Sequence, residues 1–157
     1  MIGPVETADP LNLPNVVSAG TYHTVTVDSK GRVVSGTSMS QSGVSRSLNT
    51  AFQVSATRWA LVSYSVQLTV TASIAGGQNG DVFLEIASDI GFTANVQQIA
   101  VAGLGQTYTL AVAIQGVQPQ SGCVMGTVPP GYYVRLRTVS NTGSPSFSYR
   151  LGQETLL

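Results

Sequence analysis

Few residues of this chain could do acid–base or nucleophilic chemistry. The 157 residues include one histidine, His23, one cysteine, Cys123, and seven carboxylates. Asp81 and Glu85 lie four residues apart on one predicted strand, which separates them by about 13 Å along it. That separation exceeds the roughly 5–9.5 Å between the paired carboxylates of glycosidases. The sequence therefore predicts a protein that is not an enzyme and that needs no cofactor.

His23 and Cys123 offer no better catalytic or metal site. No Gly-x-Ser-x-Gly elbow accompanies the histidine, so a Ser-His-Asp hydrolase is not indicated. A trimer would bring three His23 imidazoles together, but the local text Tyr-His-Thr-Val lacks a second ligand, and we expect no metal. A single cysteine cannot form an intrachain disulfide. We expect Cys123 to be a small apolar strand residue.

Charge is scarce throughout the sequence. Seven basic and seven acidic side chains give a net charge of zero, and only 9% of residues are charged, against about 25% in an ordinary soluble domain. Such a surface is either coated with neutral polar side chains or buried against other chains. No Lys/Arg cluster indicates a nucleic-acid surface, and no apolar run reaches the roughly 18 residues of a membrane span. We expect neither nucleic-acid binding nor membrane insertion.

The elements that must position these residues are β-strands. Residues 62–72 alternate apolar and hydroxyl or amide side chains with a period of two. Turn signals such as Asn79-Gly80 separate the later runs, and no helical period occurs. This pattern predicts an all-β fold, an antiparallel β-sandwich of jelly-roll-like type. The predicted strands cover residues 62–72, 82–86, 96–101 (before a break at Gly103-Leu104-Gly105), 107–114, 123–128, 132–139 and 146–151.

Charged side chains on these strands have few predicted partners. Arg135 and Arg137 alternate with apolar residues and so point to one face. Glu85, on another strand, is the expected partner of this pair, and contact with a receptor is the alternative. We expect Arg46, Arg58 and Arg150 to be isolated and Glu154 to lie in the C-terminal tail.

Three segments precede the sandwich domain, which we place at residues 45–157. Residues 1–14 predict an extended arm because proline fixes extended geometry there. Residues 15–37 predict a β-hairpin module whose turn needs a positive φ at Gly31. Residues 38–44 predict a linker. A lone hairpin is marginal in water and needs a partner surface. The expected anchoring residues of the arm are Pro4, Pro10, Leu11 and Leu13.

Two stretches of the sequence resemble tail fibres of tailed bacteriophages. The wording Ala-Gly-Thr-Tyr-x-x-Val-Thr-Val-Asp-x-Lys-Gly-Arg-Val at residues 19–33 is similar to a module between stalk and tip of an intertwined trimer. From residue 45 onward, Gly-Asp-Val-Phe-Leu-Glu-Ile-Ala-Ser-Asp and Pro-Gly-Tyr-Tyr-Val-Arg-Leu-Arg-Thr resemble a C-terminal tip domain. The resemblance implies a homotrimeric structural protein of the virion. Its distal domain would attach to a host-surface glycan or outer-membrane component.

Loops at one end of the sandwich are the expected contact surface: residues 76–80, 89–94, 118–122 and 141–145. Trp59 could stack on a sugar ring, with Arg58 beside it suited to an anionic saccharide. The alternative is a tryptophan that caps the edge of the sandwich. The expected receptor-contact residues are Gly76, Gln78, Asn79, Asp89, Gln118, Gln120, Asn141, Trp59 and Arg58.

Two other functions stay open at this point. One is an architectural fibre or decoration protein without receptor binding, anchored by residues 1–14 to tail, baseplate or capsid proteins. The other is a carbohydrate-binding β-sandwich module. All three alternatives share the same predicted fold.

Overall fold

The computed structural model describes residues 20–29, 31–69, 77–106 and 119–157. These residues form ten strands and no helix, which confirms the predicted all-β class. No described segment could therefore cross a membrane as a helix. The chain divides into two compact units, Met1–Met39 and Ser40–Leu157. Several predictions fall outside the described residues: the arm 1–14 with Pro4, Pro10, Leu11 and Leu13, the strand at 107–114, and the contact residues Gly76 and Gln118.

The described part of the first unit is a β-hairpin. Strand β1 (Thr24–Val27) pairs antiparallel with β2 (Val33–Thr37). Gly31 in the connecting turn has a φ of 78°, in the left-handed region that favours glycine. The Asp28 carboxylate pairs with the Arg32 guanidinium at 2.7 Å across the turn. The hairpin and the role of Gly31 are therefore as the sequence predicts.

The described residues of the second unit form two four-stranded antiparallel sheets. Sheet I has the order β3-β10-β5-β8 and sheet II the order β4-β9-β6-β7. The strands are β3 (Ser40–Val44), β4 (Phe52–Gln53), β5 (Ala60–Thr69), β6 (Gln78–Ala87), β7 (Gln97–Gln106), β8 (Gln120–Val128), β9 (Tyr133–Thr142) and β10 (Ser146–Leu156).

The pairing of these eight strands is nested. The first pairs with the last, β3 with β10, and the second with the next to last, β4 with β9. The same rule joins β5 to β8 and β6 to β7. Successive pairs belong alternately to sheet I and sheet II. The first four strands therefore pair in reverse order with the last four, as in a long antiparallel hairpin whose strand pairs are divided between the two sheets.

Two buried apolar clusters join the two sheets. Val62 and Val124 of sheet I pack with Leu84 and Leu136 of sheet II in one buried cluster. Along β5 every second residue is buried, as the period-two alternation predicts. Full burial of each Val or Leu side chain contributes about 1.5–3 kcal/mol. These clusters fix which side chains lie on the outer faces of the sheets.

Sequence reasoning placed some boundaries wrongly. Residues 40–44, predicted as linker, form β3 and pair with β10, because Ser and Gln are tolerated on an exposed edge strand. Strand β7 does not break at Gly103-Leu104-Gly105 but continues to Gln106, and residues 100–106 pair without interruption with β6. Strand β10 runs to Leu156, so Glu154 lies in a strand and not in a tail.

Candidate functional site

The register separates the predicted contact loops. Residues Thr69, Gln78, Gln120, Thr142 and Ser146 share one end of the sandwich, called here the Asn141 end. Residues Ala60, Ala87, Val128, Tyr133 and Leu156 share the other, called the Trp59 end. A strand of ten residues spans about 33 Å. Loop 89–94 follows Ala87, so it lies at the Trp59 end, away from the other three. The expectation of one contact surface built from all four loops is therefore wrong.

A groove lies on the outer face of sheet II at the Asn141 end. It has a volume of about 230 Å³ and is open to solvent, and we call it the Asp81 groove. Asn79 and Asp81 on β6 pair with Gly105 and Gly103 on β7, and these four alternate with core residues. The residues lining the groove are Asn79, Gly80, Asp81, Gly103, Leu104, Gly105 and Asn141.

Polar side chains surround a glycine floor in this groove. The Asn141 amide Nδ2 donates to Asp81 Oδ2 at 2.7 Å. A Cβ placed on Gly103 would lie 3.4 Å from Asp81 Oδ1, so that oxygen faces the space above Gly103. A Cβ on Gly105 would lie only 2.7 Å from the Asn79 Cβ. The glycines thus keep the groove open, and Asn79 and Asn141 are the two predicted contact residues that the structure brings together here.

Two further predicted contacts at this end are structural. Gln78 is buried, and its side chain packs against Gly143, so it presents no surface to a receptor. Gln120 Oε1 accepts a hydrogen bond from the Gly105 amide at 2.8 Å. Because Gln120 belongs to sheet I and Gly105 to sheet II, this bond ties the two sheets together next to the groove.

The Trp59 end offers an exposed aromatic ring without a free arginine. Trp59 is 51% exposed, so it does not fill the core. Arg58 donates from Nε to the Leu157 carbonyl at 3.0 Å and from Nη2 to the Leu156 carbonyl at 3.1 Å. Arg58 therefore fastens the last residues of the chain. The Arg58 guanidinium, which was predicted to bind an anionic saccharide beside Trp59, is thus occupied by these two carbonyls.

Asp89, also at the Trp59 end, organises its own loop. Its Oδ1 accepts from the Ala94 amide at 2.7 Å, and the Thr93 amide and hydroxyl donate to the same carboxylate. These hydrogen bonds lower the pKa of Asp89, and the bond from the Ala94 amide has a larger effect than the bond from the Thr93 amide. Its carboxylate is thus committed to the loop that contains it.

A second cluster on the outer face of sheet II centres on Glu85. Arg135 Nη2 donates to Oε2 and Arg137 Nε donates to Oε1, both at 2.7 Å, which confirms the pairing predicted from sequence. The two guanidinium groups lie over the rings of Phe92 and Phe83, at 4.2 and 4.4 Å from the ring centroids. Glu85 is only 2% exposed as a result. Burial alone would raise the pKa of Glu85, but the arginine hydrogen bonds outweigh it and the pKa is lowered.

The Glu154 carboxylate is enclosed between the sheets. Arg46 donates to both oxygens of Glu154, at 2.8 and 2.7 Å, and the Tyr64 hydroxyl donates to Glu154 Oε1 at 2.7 Å. Burial, and then the hydrogen bond to Glu154, raises the pKa of Tyr64. The hydrogen bond from Arg46 to Glu154 raises the pKa of Arg46. The sequence-based expectation that Arg46 is isolated is therefore wrong. Arg46 is part of the packing at the β3–β4 edge.

The outer face of sheet I has a different character. Met125 and Leu151 are 62% and 60% exposed, and Leu61 and Cys123 are exposed beside them. Ser63 lies between Met125 and Gln153, and Ser65 lies between Cys123 and Leu151. Within the described residues, the only charged side chain exposed on these four strands is Arg150, which donates to Gln67 Oε1. This face is apolar and hydroxyl-bearing, with almost no charge.

His23 is exposed beside the hairpin of the first unit. No group of three or more His, Cys, Asp or Glu side chains suited to a metal ion occurs in the part of the chain that the structure describes. A three-fold histidine site would need other copies of the chain and stays untested. Cys123 is exposed, with its Sγ 3.3 Å from the Ser63 hydroxyl.

The chain is similar to a viral protein. Uncharacterized protein 443R of Invertebrate iridescent virus 6 is 37% identical over 106 residues, 67% of this chain. The chain spans only 4% of the length of that relative. No family model matches the chain. No solved structure matches it either.

Proposed function

We propose that this chain is a non-enzymatic structural protein of a virus particle, a homotrimeric fibre or spike tip that attaches the virion to the host surface. The nested strand order of the sandwich carries this proposal. The described strands form antiparallel sheets in which β3 pairs with β10 and β4 with β9, and we infer from this nested order that the sandwich is a jelly roll. Jelly rolls are common in viral capsid and lectin domains. The similarity to a viral protein supports the viral part of this proposal.

The outer face of sheet I supports the homotrimer. Copies of a chain with zero net charge do not repel one another. Charged residues are depleted, and methionine is enriched, at the centre of protein interfaces. Met125, Leu151 and Leu61 are exposed on a face with this composition. We place the contact between copies there.

Attachment by three equivalent sites explains why each site can be small. Linked sites gain avidity of about 10²–10⁴ over one site when all engage together. The Asp81 groove occurs once per chain, so a trimer would present three grooves. The arm 1–14 would link the protein to tail, baseplate or capsid proteins. Nucleic acid and membrane insertion have no part in this proposal.

Competition for adsorption tests the attachment function. Host cells are incubated with the purified chain, and the adsorption rate of the virus that carries it is then measured. We expect the rate to fall as the protein concentration rises, because the free protein occupies the same surface receptors. A rate that is unchanged at saturating protein would favour the architectural alternative, a fibre or decoration protein anchored by its arm.

A carbohydrate-binding module is the second candidate function, and the Asp81 groove favours it. The groove combines a carboxylate, two carboxamides and a glycine floor in an open site. If the chain binds sugars as a monomer and does not compete with virus, this second function replaces the first.

A further inference from the structure

We propose that the Asp81 groove binds a neutral, hydroxyl-bearing sugar residue of a glycan, through Asp81, Asn79 and Asn141. This inference rests on the proposed attachment function in one respect, which is that the glycan belongs to the host surface. The chemistry of the groove itself is independent of the oligomeric state. It also differs from the anionic saccharide that the Arg58–Trp59 pair suggested.

Asp81 stands apart from the other carboxylates that the structure describes. Each of the others is fully engaged: Asp28 with Arg32, Glu85 with Arg135 and Arg137, Glu154 with Arg46 and Tyr64, and Asp89 with the amides of its loop. Asp81 receives one hydrogen bond within the described residues, from Asn141 to Oδ2. Its Oδ1 faces the groove and is therefore available to accept from a ligand.

The polar groups of the groove complement adjacent sugar hydroxyls. An ionised carboxylate only accepts hydrogen bonds, whereas a carboxamide both donates and accepts. Each hydroxyl of a sugar also donates one hydrogen bond and accepts others. A pair of neighbouring hydroxyls can thus donate to Asp81 Oδ1 and accept from Asn79, while the Asn141 oxygen stays free to accept. Hydrogen bonds to the charged carboxylate are the stronger ones.

Charge selects against an acidic ligand. The negative charge of Asp81 would repel a carboxylate or sulfate at the same place. Arg137, farther along this face, has its Nε bonded to Glu85 at 2.7 Å and its guanidinium on the Phe83 ring. Its Nε is therefore already bonded within the chain. The groove therefore prefers neutral sugars over uronic or sialic acids.

The groove has room for a small ligand, because its volume is about 230 Å³ and it is open to solvent. Val101, 60% exposed, lies two residues before Gly103 on the same face of β7. It gives an apolar patch next to the polar groups for the C–H face of a sugar.

A titration followed by NMR tests this inference on the full chain. The probes are the methyl glycosides of glucose, galactose, mannose and N-acetylglucosamine, with glucuronic acid and N-acetylneuraminic acid as acidic comparisons. We expect at least one neutral glycoside to shift the amide signals of Gly103 and Gly105 in a saturating manner, with a Kd in the millimolar range, on the order of 1–50 mM. The acidic sugars should bind at least about tenfold more weakly.

Three variants locate the binding. Asp81→Asn removes the charge, and Gly103→Ala places a methyl group 3.4 Å from Asp81 Oδ1, inside the groove. Gly43→Ala makes the same chemical change on the edge strand β3, where an added Cβ meets nothing within 4 Å. We expect the first two variants to weaken binding by at least about tenfold and Gly43→Ala to bind like the wild type. Thermal unfolding checks that all three fold.

The outcomes separate this inference from the proposed function. Saturable shifts that are lost in folded Asp81→Asn and Gly103→Ala support the groove. Absence of binding by every neutral glycoside, tighter binding of the acidic sugars, or binding that both groove variants retain overturns it. Viral adsorption that the protein inhibits without any groove binding would leave attachment standing and refute the groove alone. Sugar binding in the groove without inhibition of viral adsorption would support the groove and refute attachment.

Discussion

Arg137 Nε lies 2.7 Å from Glu85 Oε1 on neighbouring strands of sheet II, and Arg137 also covers the ring of Phe83. The carboxylate is thus buried on a sheet face that would otherwise be open to solvent. Glu85 is enclosed by side chains of its own chain here.

Glu85→Gln should destabilise the sandwich. Removal of one partner of a buried ion pair costs about 3–5 kcal/mol, because the remaining charges lose their compensation. The two arginines are partly exposed, so we expect the lower part of this range, measured as the free energy of unfolding in urea. Asp81→Asn on the same strand is the control and should change the stability by less than about 1 kcal/mol. Equal stabilities of both variants would refute a structural role for the Glu85 pairs.

The contribution of Glu85 should depend on pH with a defined sign. Its pKa in the folded state is lowered from the ordinary value of 4.5. The stabilisation is therefore fully present above pH 4.5 and is lost as the pH falls through the lowered pKa. We expect the difference in unfolding free energy between wild type and Glu85→Gln to shrink when the pH is lowered from 6 to 3. A difference that is constant across this range would contradict the pKa shift.

Tyr64→Phe should cost more than Tyr149→Phe. The Tyr64 hydroxyl donates to the charged Glu154 at 2.7 Å, whereas the Tyr149 hydroxyl donates to the neutral Val44 carbonyl at 2.8 Å. Hydrogen bonds to charged groups contribute about 1.5–3 kcal/mol and neutral ones about 0.5–1.5 kcal/mol. Guanidinium unfolding of both variants measures the difference. The reverse order would mean that Arg46 alone satisfies Glu154.

Met125→Glu should dissociate the oligomer without unfolding the chain. The substitution places a charge on the outer face of sheet I, which we propose as the contact between copies. Val101→Glu is the matched control, because Val101 is equally exposed, at 60% against 62%, on the outer face of sheet II. Light scattering should give the monomer mass for Met125→Glu and the wild-type mass for Val101→Glu. Oligomers that persist in the first variant would place the interface elsewhere.

The local features of this fold were predictable from sequence. The alternation over residues 62–69 predicts β5 and its buried face. Arg135 and Arg137 are two residues apart and so lie on one face of their strand, which predicts a pairing with Glu85. These predictions succeed because period-two patterns report directly on strand faces.

Features that depend on distant residues were missed. Arg46 and Glu154 are 108 residues apart, and no local pattern indicates their pairing. The Asp81 groove was missed because Gly103 and Gly105 suggest a break, whereas β6 pairs along both and uses them as a floor. The contact residues Asn79 and Asn141 were predicted, but their partnership with Asp81 needed the register of three strands.

The native mass of the full chain in solution, measured by light scattering after size-exclusion chromatography, tests the central claim most directly. A trimeric virion tip predicts a mass close to three times that of the 16.3 kDa chain. A mass of a single chain at all concentrations would contradict the homotrimer, and with it the multivalent attachment that the trimer would provide.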